Sequence, residues 1–123
     1  MTRLVRKLVI HAPKNGKTPF NTILTHRIGP DYAIYNSLYN QVTPITSESR
    51  VVLLANDSKQ REEGRLVKLV KKGLTKNGIW RYDVHFEDMH NVTYRNERLN
   101  RCGVTVIEEE PDYGKGVNKM ARK

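Results

Sequence analysis

From Ile79 to Glu87 apolar and polar side chains alternate. Trp80, Tyr82, Val84 and Phe86 fall on one side; Arg81, Asp83, His85 and Glu87 fall on the other. That two-residue period predicts a β-strand with one buried face. Lys76-Asn77-Gly78 precedes it as a hairpin turn, because Asn and Gly tolerate the positive φ of tight turns. Gly64-Arg65-Leu66-Val67-Lys68-Leu69-Val70-Lys71 is the natural antiparallel partner. Asp88-Met89-His90-Asn91 reads as a second turn, leading into a strand at Val92-Thr93-Tyr94-Arg95. Three strands joined by short turns make a meander.

The remaining pattern adds elements on both sides. Arg3 to Ala12 reads as a first strand, and Pro13 to Lys17 as a loop. Thr18-Pro19 predicts a helix start, with Thr18 as N-cap and a short helix over Phe20 to Thr25, ended by Ile28-Gly29-Pro30. Tyr32, Tyr35 and Tyr39 share one face of a helix between Asp31 and Gln41, with Asp31 as its cap, although the same letters also fit an irregular strand. Val42 to Ser49 is a polar connector. Arg50 to Ala55 is a short apolar strand covered on both faces. Asn56 to Glu63 reads as a charged loop. Asn96 to Arg101 fits one helical turn, Val104 to Ile107 a last strand, and Glu108 to Lys123 a mobile charged tail.

The order from Arg50 to Ile107 resembles an SH3-like small β-barrel of the Tudor and chromo-barrel kind. Gly64-Arg65-Leu66-Val67, Tyr82 to Asp88, Val92-Thr93-Tyr94 and Leu99 carry the resemblance. Met89 stands where those families commonly place a glycine after the aspartate. The resemblance implies a mainly β fold: an SH3-like small antiparallel barrel at 50–107, an N-terminal α/β extension at 1–49 packed on it, and the tail at 108–123. Residues 1–49 could instead complete a larger barrel of the PUA or EVE type.

Composition then narrows the function. The length of 123 residues suits one domain. Cys102 is the only cysteine, which points to a reducing, cytoplasmic setting. Leu4 to Ala12 is interrupted by Arg6, Lys7 and His11, too charged for a signal sequence or a membrane span. The net charge is +9, and six basic residues with no acidic one lie between Arg65 and Arg81. Such a chain favours polyanionic partners.

Candidate chemistry separates the classes further. Gly16-Lys17-Thr18 matches the end of a phosphate-binding loop, but that motif's first glycine is missing. His85 and Glu87 share a strand face and stand near His90, yet the spacing fits no metal motif, so no metal or other cofactor is expected. Cys102 and the serines stand in no nucleophile motif. A metal-dependent nuclease-like enzyme is therefore the weakest class. An aromatic methyl-lysine cage from Trp80, Tyr82, Phe86 and Tyr94 conflicts with the core-facing parity of Trp80, Tyr82 and Phe86. Nucleic-acid binding without catalysis is the favoured class. RNA or DNA phosphates would meet Lys68, Lys71, Lys72, Lys76 and Arg81 on the hairpin and Arg95, Arg98 and Arg101 after it, with Tyr35 or Tyr39 stacking on bases. The competing class is a protein-interaction module docking its basic face on an acidic protein.

Overall fold

The chain threads its first strand into the middle of a sheet, not along its border. In the computed structural model, which describes residues 4–12, 18–55, 59–93, 98–99 and 103–109, the elements are β1 (Val5–His11), α1 (Phe20–His26), β2 (Ile28–Ala33), α2 (Asn36–Val42), β3 (Arg50–Ala55), β4 (Gln60–Leu74), β5 (Trp80–Asn91) and β6 (Val104–Glu109). They form one mixed sheet in the order β2-β5-β4-β3-β1-β6. β1 and β3 run parallel and the other pairs antiparallel. A parallel pair needs a crossover, and α1, β2 and α2 lie within it. The sheet is open among the described residues, with β2 and β6 at its ends and no pairing that closes a barrel. It also spans the expected boundary between residues 49 and 50, since residues 1–49 contribute two of its strands.

Strand parity builds the core. Leu8 pairs with Val51 and Ile10 with Leu53, Leu66 with Phe86 and Leu69 with Val84. These side chains face one layer with Tyr82 and Val104, covered by Phe20, Ile23, Ile34 and Val42. The opposite face holds a smaller cluster, Val9, Val52 and Leu54, with Leu99 and Ile107 against it. All five residues from Val51 to Ala55 are fully buried, as expected of an apolar strand covered on both faces.

Several expectations are corrected. Asp88 to Asn91 is not a turn: β5 runs on to Asn91, which pairs with Glu62. The irregularity is absorbed as a bulge, with Asp88 at φ 57°. Val92 and Thr93 consequently lie outside any strand. Tyr94 and Arg95, and most of the helical turn at 96–101, lie outside the described residues. Gln60 to Glu63 belongs to β4 and not to a loop, and Arg61, Glu62 and Glu63 are buried. Glu108 and Glu109 belong to β6 and not to a tail, pairing with Arg6 and Val5.

In the crossover, Pro19 rather than Thr18 stands at the N-cap of α1, and no side chain caps that end. Arg27, at φ 62°, closes the helix by donating its backbone N–H to the Ile23 carbonyl at 2.8 Å. Ile28 to Ala33 then forms β2 beside β5. Asp31 and Tyr32 are therefore strand residues, and α2 begins only after Tyr35.

Candidate nucleic-acid interface

β4 has two halves with different neighbours. Up to Arg65 it lies between β3 and β5; beyond that, its only partner is β5. The second half pairs with the start of β5, whose other side β2 covers up to Arg81, so this basic hairpin, here termed the arm, leaves the outer side of β4 as its open edge. Register shifts between Leu66 and Lys68 and between Lys71 and Leu74 place extra residues on β4. Bulges of this kind bend a strand and strengthen its twist. The arm is closed by Thr75 to Ile79, where Thr75 N donates to the Ile79 carbonyl at 2.8 Å and Gly78 N to the Thr75 carbonyl at 3.1 Å. The Thr75 hydroxyl oxygen accepts from Asn77 N and Ile79 N at 3.2 and 3.1 Å. Gly78 has φ 79°, the conformation for which the turn uses glycine.

The five basic residues expected on the hairpin are all exposed on this arm: Lys68, Lys71, Lys72, Lys76 and Arg81. Lys68 pairs across the strands with His85, and Lys72 reaches Asp83 at 3.4 Å. Arg81 donates to the Asp31 carbonyl at 3.4 Å. Lys71 lies on the other face, its Nζ 4.3 Å from the centre of the Trp80 ring, a cation–π contact. Lys76 occupies the turn. Lys68, Lys71, Lys76 and Arg81 have no carboxylate partner among the described residues.

Cations elsewhere are treated differently. Lys7, fully buried, donates to Glu63 Oε1 at 2.9 Å and Glu109 Oε1 at 3.2 Å. Arg61 Nη2 donates to the same Glu109 oxygen at 2.9 Å. At the surface Arg6 pairs with Glu108 at 3.0 Å, and Arg65 with Glu87 at the root of the arm. Pairing thus neutralises Lys7, Arg61, Arg6 and Arg65, while four of the arm's cations keep no carboxylate partner among the described residues. Arg98 is exposed; Arg95 and Arg101 lie outside the described residues.

The aromatic residues expected to stack on bases are drawn into the fold. The Tyr39 ring stacks on Tyr82 with centroids 5.1 Å apart and planes at 20°. Tyr35 is half-buried at the start of α2. Tyr32 donates its hydroxyl to the His11 carbonyl at 2.8 Å, and burial raises its phenol well above the usual range. Trp80 is only half-buried, against the expectation of a core tryptophan. It lies past Tyr82, the last fully enclosed residue of β5, and is shielded by Lys71.

Two features of the arm were not read from the sequence. Leu74, paired with Trp80, is 57 % exposed, and Val70 is 37 % exposed. The bulges shift the inside–outside alternation of β4, and nothing in the local letters marks where they fall.

Other sites offer less. A cleft of about 370 Å³ lies between the start of β1, the end of α2 and the connector into β3. Two of its hydroxyls serve the local backbone, Thr43 donating to the Tyr39 carbonyl at 2.8 Å and the Ser49 oxygen accepting from Thr46 N at 2.8 Å, and its Arg6 and Glu108 pair with each other. Among the described residues no three His, Cys, Asp or Glu side chains converge as metal ligands, and no helix is long and apolar enough to cross a membrane. Glu87, considered with His85, is engaged by Arg65. No family model, curated protein or solved structure matches the chain.

Proposed function

We propose that this protein binds nucleic acid without catalysis, through the basic arm formed by β4 and β5. The observation that carries the reading is the set of exposed cations Lys68, Lys71, Lys76 and Arg81, left without carboxylate partners among the described residues on one hairpin of the sheet. Phosphate contacts from such side chains give affinity with little dependence on sequence. In this proposal β3, β4 and β5 stand for the bent central strands of an SH3-like, Tudor-like module, supported by their consecutive antiparallel pairing and bulges. A cytoplasmic site of action belongs to the same proposal.

The test is titration of the purified protein with short RNA and DNA, single- and double-stranded, at two salt concentrations. Binding that weakens steeply with added salt is expected. No binding to any of them at low salt would overturn the proposal and transfer the arm to an acidic protein partner. That partner would then be sought by capture from a nuclease-treated extract.

A further inference from the structure

β3 begins at Arg50, opposite Arg65, and the Leu66 N–H donates to the Ser49 carbonyl at 3.0 Å. Past that bond no described strand lies on the outer side of β4, while β5 holds its other side as far as Leu74. Val67 to Leu74 is therefore a sheet edge, roughly 26 Å long at about 3.3 Å per residue. Alternate residues of such an edge turn their N–H and C=O groups away from the sheet. The space beside it is open. Lys68, Val70, Lys71, Lys72 and Leu74 are exposed, and a Cβ built on Gly73 would meet nothing within 4 Å.

The segment holds no proline, and between its two bulges, from Lys68 to Lys71, its pairing with β5 is regular. Such an edge is a template for one more strand. Its charge selects which strand. Residues 67–74 contain three lysines and no carboxylate. A second copy pairing along the same edge would bring two sets of lysines together, and like charges across strands destabilise a sheet. A strand carrying Asp and Glu would meet those lysines with opposite charge. A polynucleotide would satisfy the lysines but has no peptide groups to continue the ladder.

We infer that the outer edge of β4, from Val67 to Leu74, is a docking site for an extended acidic peptide. The peptide adds to the sheet as a further strand and sets its carboxylates against Lys68, Lys71 and Lys72. This goes beyond the nucleic-acid reading, which uses the side chains of the hairpin and not its backbone edge.

The test uses the full chain, free of nucleic acid, and three capped, fluorescent peptides of about eight residues. The first alternates Glu and Val. The second has the same sequence with every backbone nitrogen methylated, which keeps the charge and removes the donors. The third has Lys in place of Glu. Fluorescence anisotropy should show binding of the first, weakened by salt. Methylation should weaken it at least about tenfold, because several ladder bonds are lost. The Lys peptide should not bind. Backbone amide exchange should slow between Val67 and Leu74 when the first peptide is added, and stay unchanged along β2 and β6. Combining Lys68→Glu, Lys71→Glu and Lys72→Glu should exchange the preference, so that the Lys peptide binds and the Glu peptide does not. Circular dichroism should be unchanged, since all three lysines are exposed.

Equal binding of the methylated peptide would reduce the contact to charge alone and overturn strand addition. Slowed exchange along β2 or β6 in place of β4 would overturn the site. No binding of the Glu peptide at low salt, or a folded triple variant that still prefers it, would overturn the inference outright. Exchange along β4 that slows with protein concentration alone would give the edge to a second copy and overturn the acidic partner. None of these outcomes touches the nucleic-acid reading, whose own failure is the absence of RNA and DNA binding at low salt.

Discussion

A lysine with no exposed surface, Lys7, is held between Glu63 and Glu109, and Arg61 reaches the second of these carboxylates. Among the described residues two cations and two anions meet there, out of water. Removing one partner from such a cluster strands the other charge, so Lys7→Ala or Glu109→Ala should cost about 3–5 kcal/mol. Urea unfolding of these two variants, and of Lys7→Met, Glu63→Leu and the two combined, will check this, the combination being expected to cost less than the sum of Lys7→Met and Glu63→Leu. The sequence hides this cluster: Arg61 and Glu109 lie 48 residues apart, Lys7 and Glu109 lie 102 apart, and local polarity points all of them toward water. A second prediction concerns alkali. Burial raises the phenol of Tyr32, and burial followed by the neighbouring Tyr39 raises that of Tyr82. Both phenols hold their proton more tightly in the folded chain than in the unfolded one. Their contribution is whole below the ordinary value of about 10 and is lost as pH rises through the folded-state values. The urea midpoint should therefore fall between about pH 9 and about pH 11, and fall less steeply in Tyr32→Phe.

The strand β5 shows which elements were legible and which were not. Tyr82, Val84 and Phe86 are buried and Arg81 is exposed, because one-sided burial writes itself as a two-residue period. The turn at Lys76-Asn77-Gly78 was equally legible, since its residues are there for their backbone freedom. The far end was not: Asp88 to Asn91 has the letters of a turn, but pairing with Glu62 and Glu63 keeps it in the sheet. Gly64 is tied to that bulge. A Cβ there would come within 2.5 Å of the Glu87 carbonyl oxygen and 2.5 Å of Met89 Sδ. Gly64→Ala must push a backbone group aside and should lower stability by about 1–3 kcal/mol, the scale of overpacking. Gly73→Ala, in open space, should change it by less than about 1 kcal/mol. Unfolding midpoints of the two variants, compared directly, test whether the bulge and not glycine content as such sets the requirement.

At the scale of the whole molecule, in a chain of net charge +9, pairing separates neutralised cations from unneutralised ones among the described residues. Near the N-terminus Lys7 is taken inside and Arg6 is paired with Glu108. On the arm, strand geometry keeps the cations outward, and Asp83 is the only carboxylate among the described residues that pairs with one of them. A location of this kind depends on contacts between distant segments, which explains why the hairpin lysines were legible as candidates while the neutralised ones were not separable from them. If Lys68, Lys71, Lys72, Lys76 and Arg81 each meet one phosphate, the logarithm of the binding constant for duplex DNA should fall with log salt at a slope of about −4 to −5. Reversing Lys71, Lys72 and Lys76 to Glu should make that slope shallower by about 2.7 or more and weaken binding on every sequence tested. None of the three side chains is buried, so the unfolding midpoint should stay near that of the parent. An unchanged salt slope in a folded triple variant would mean that the phosphates are met elsewhere on the molecule, and Arg98 would be the next residue to reverse.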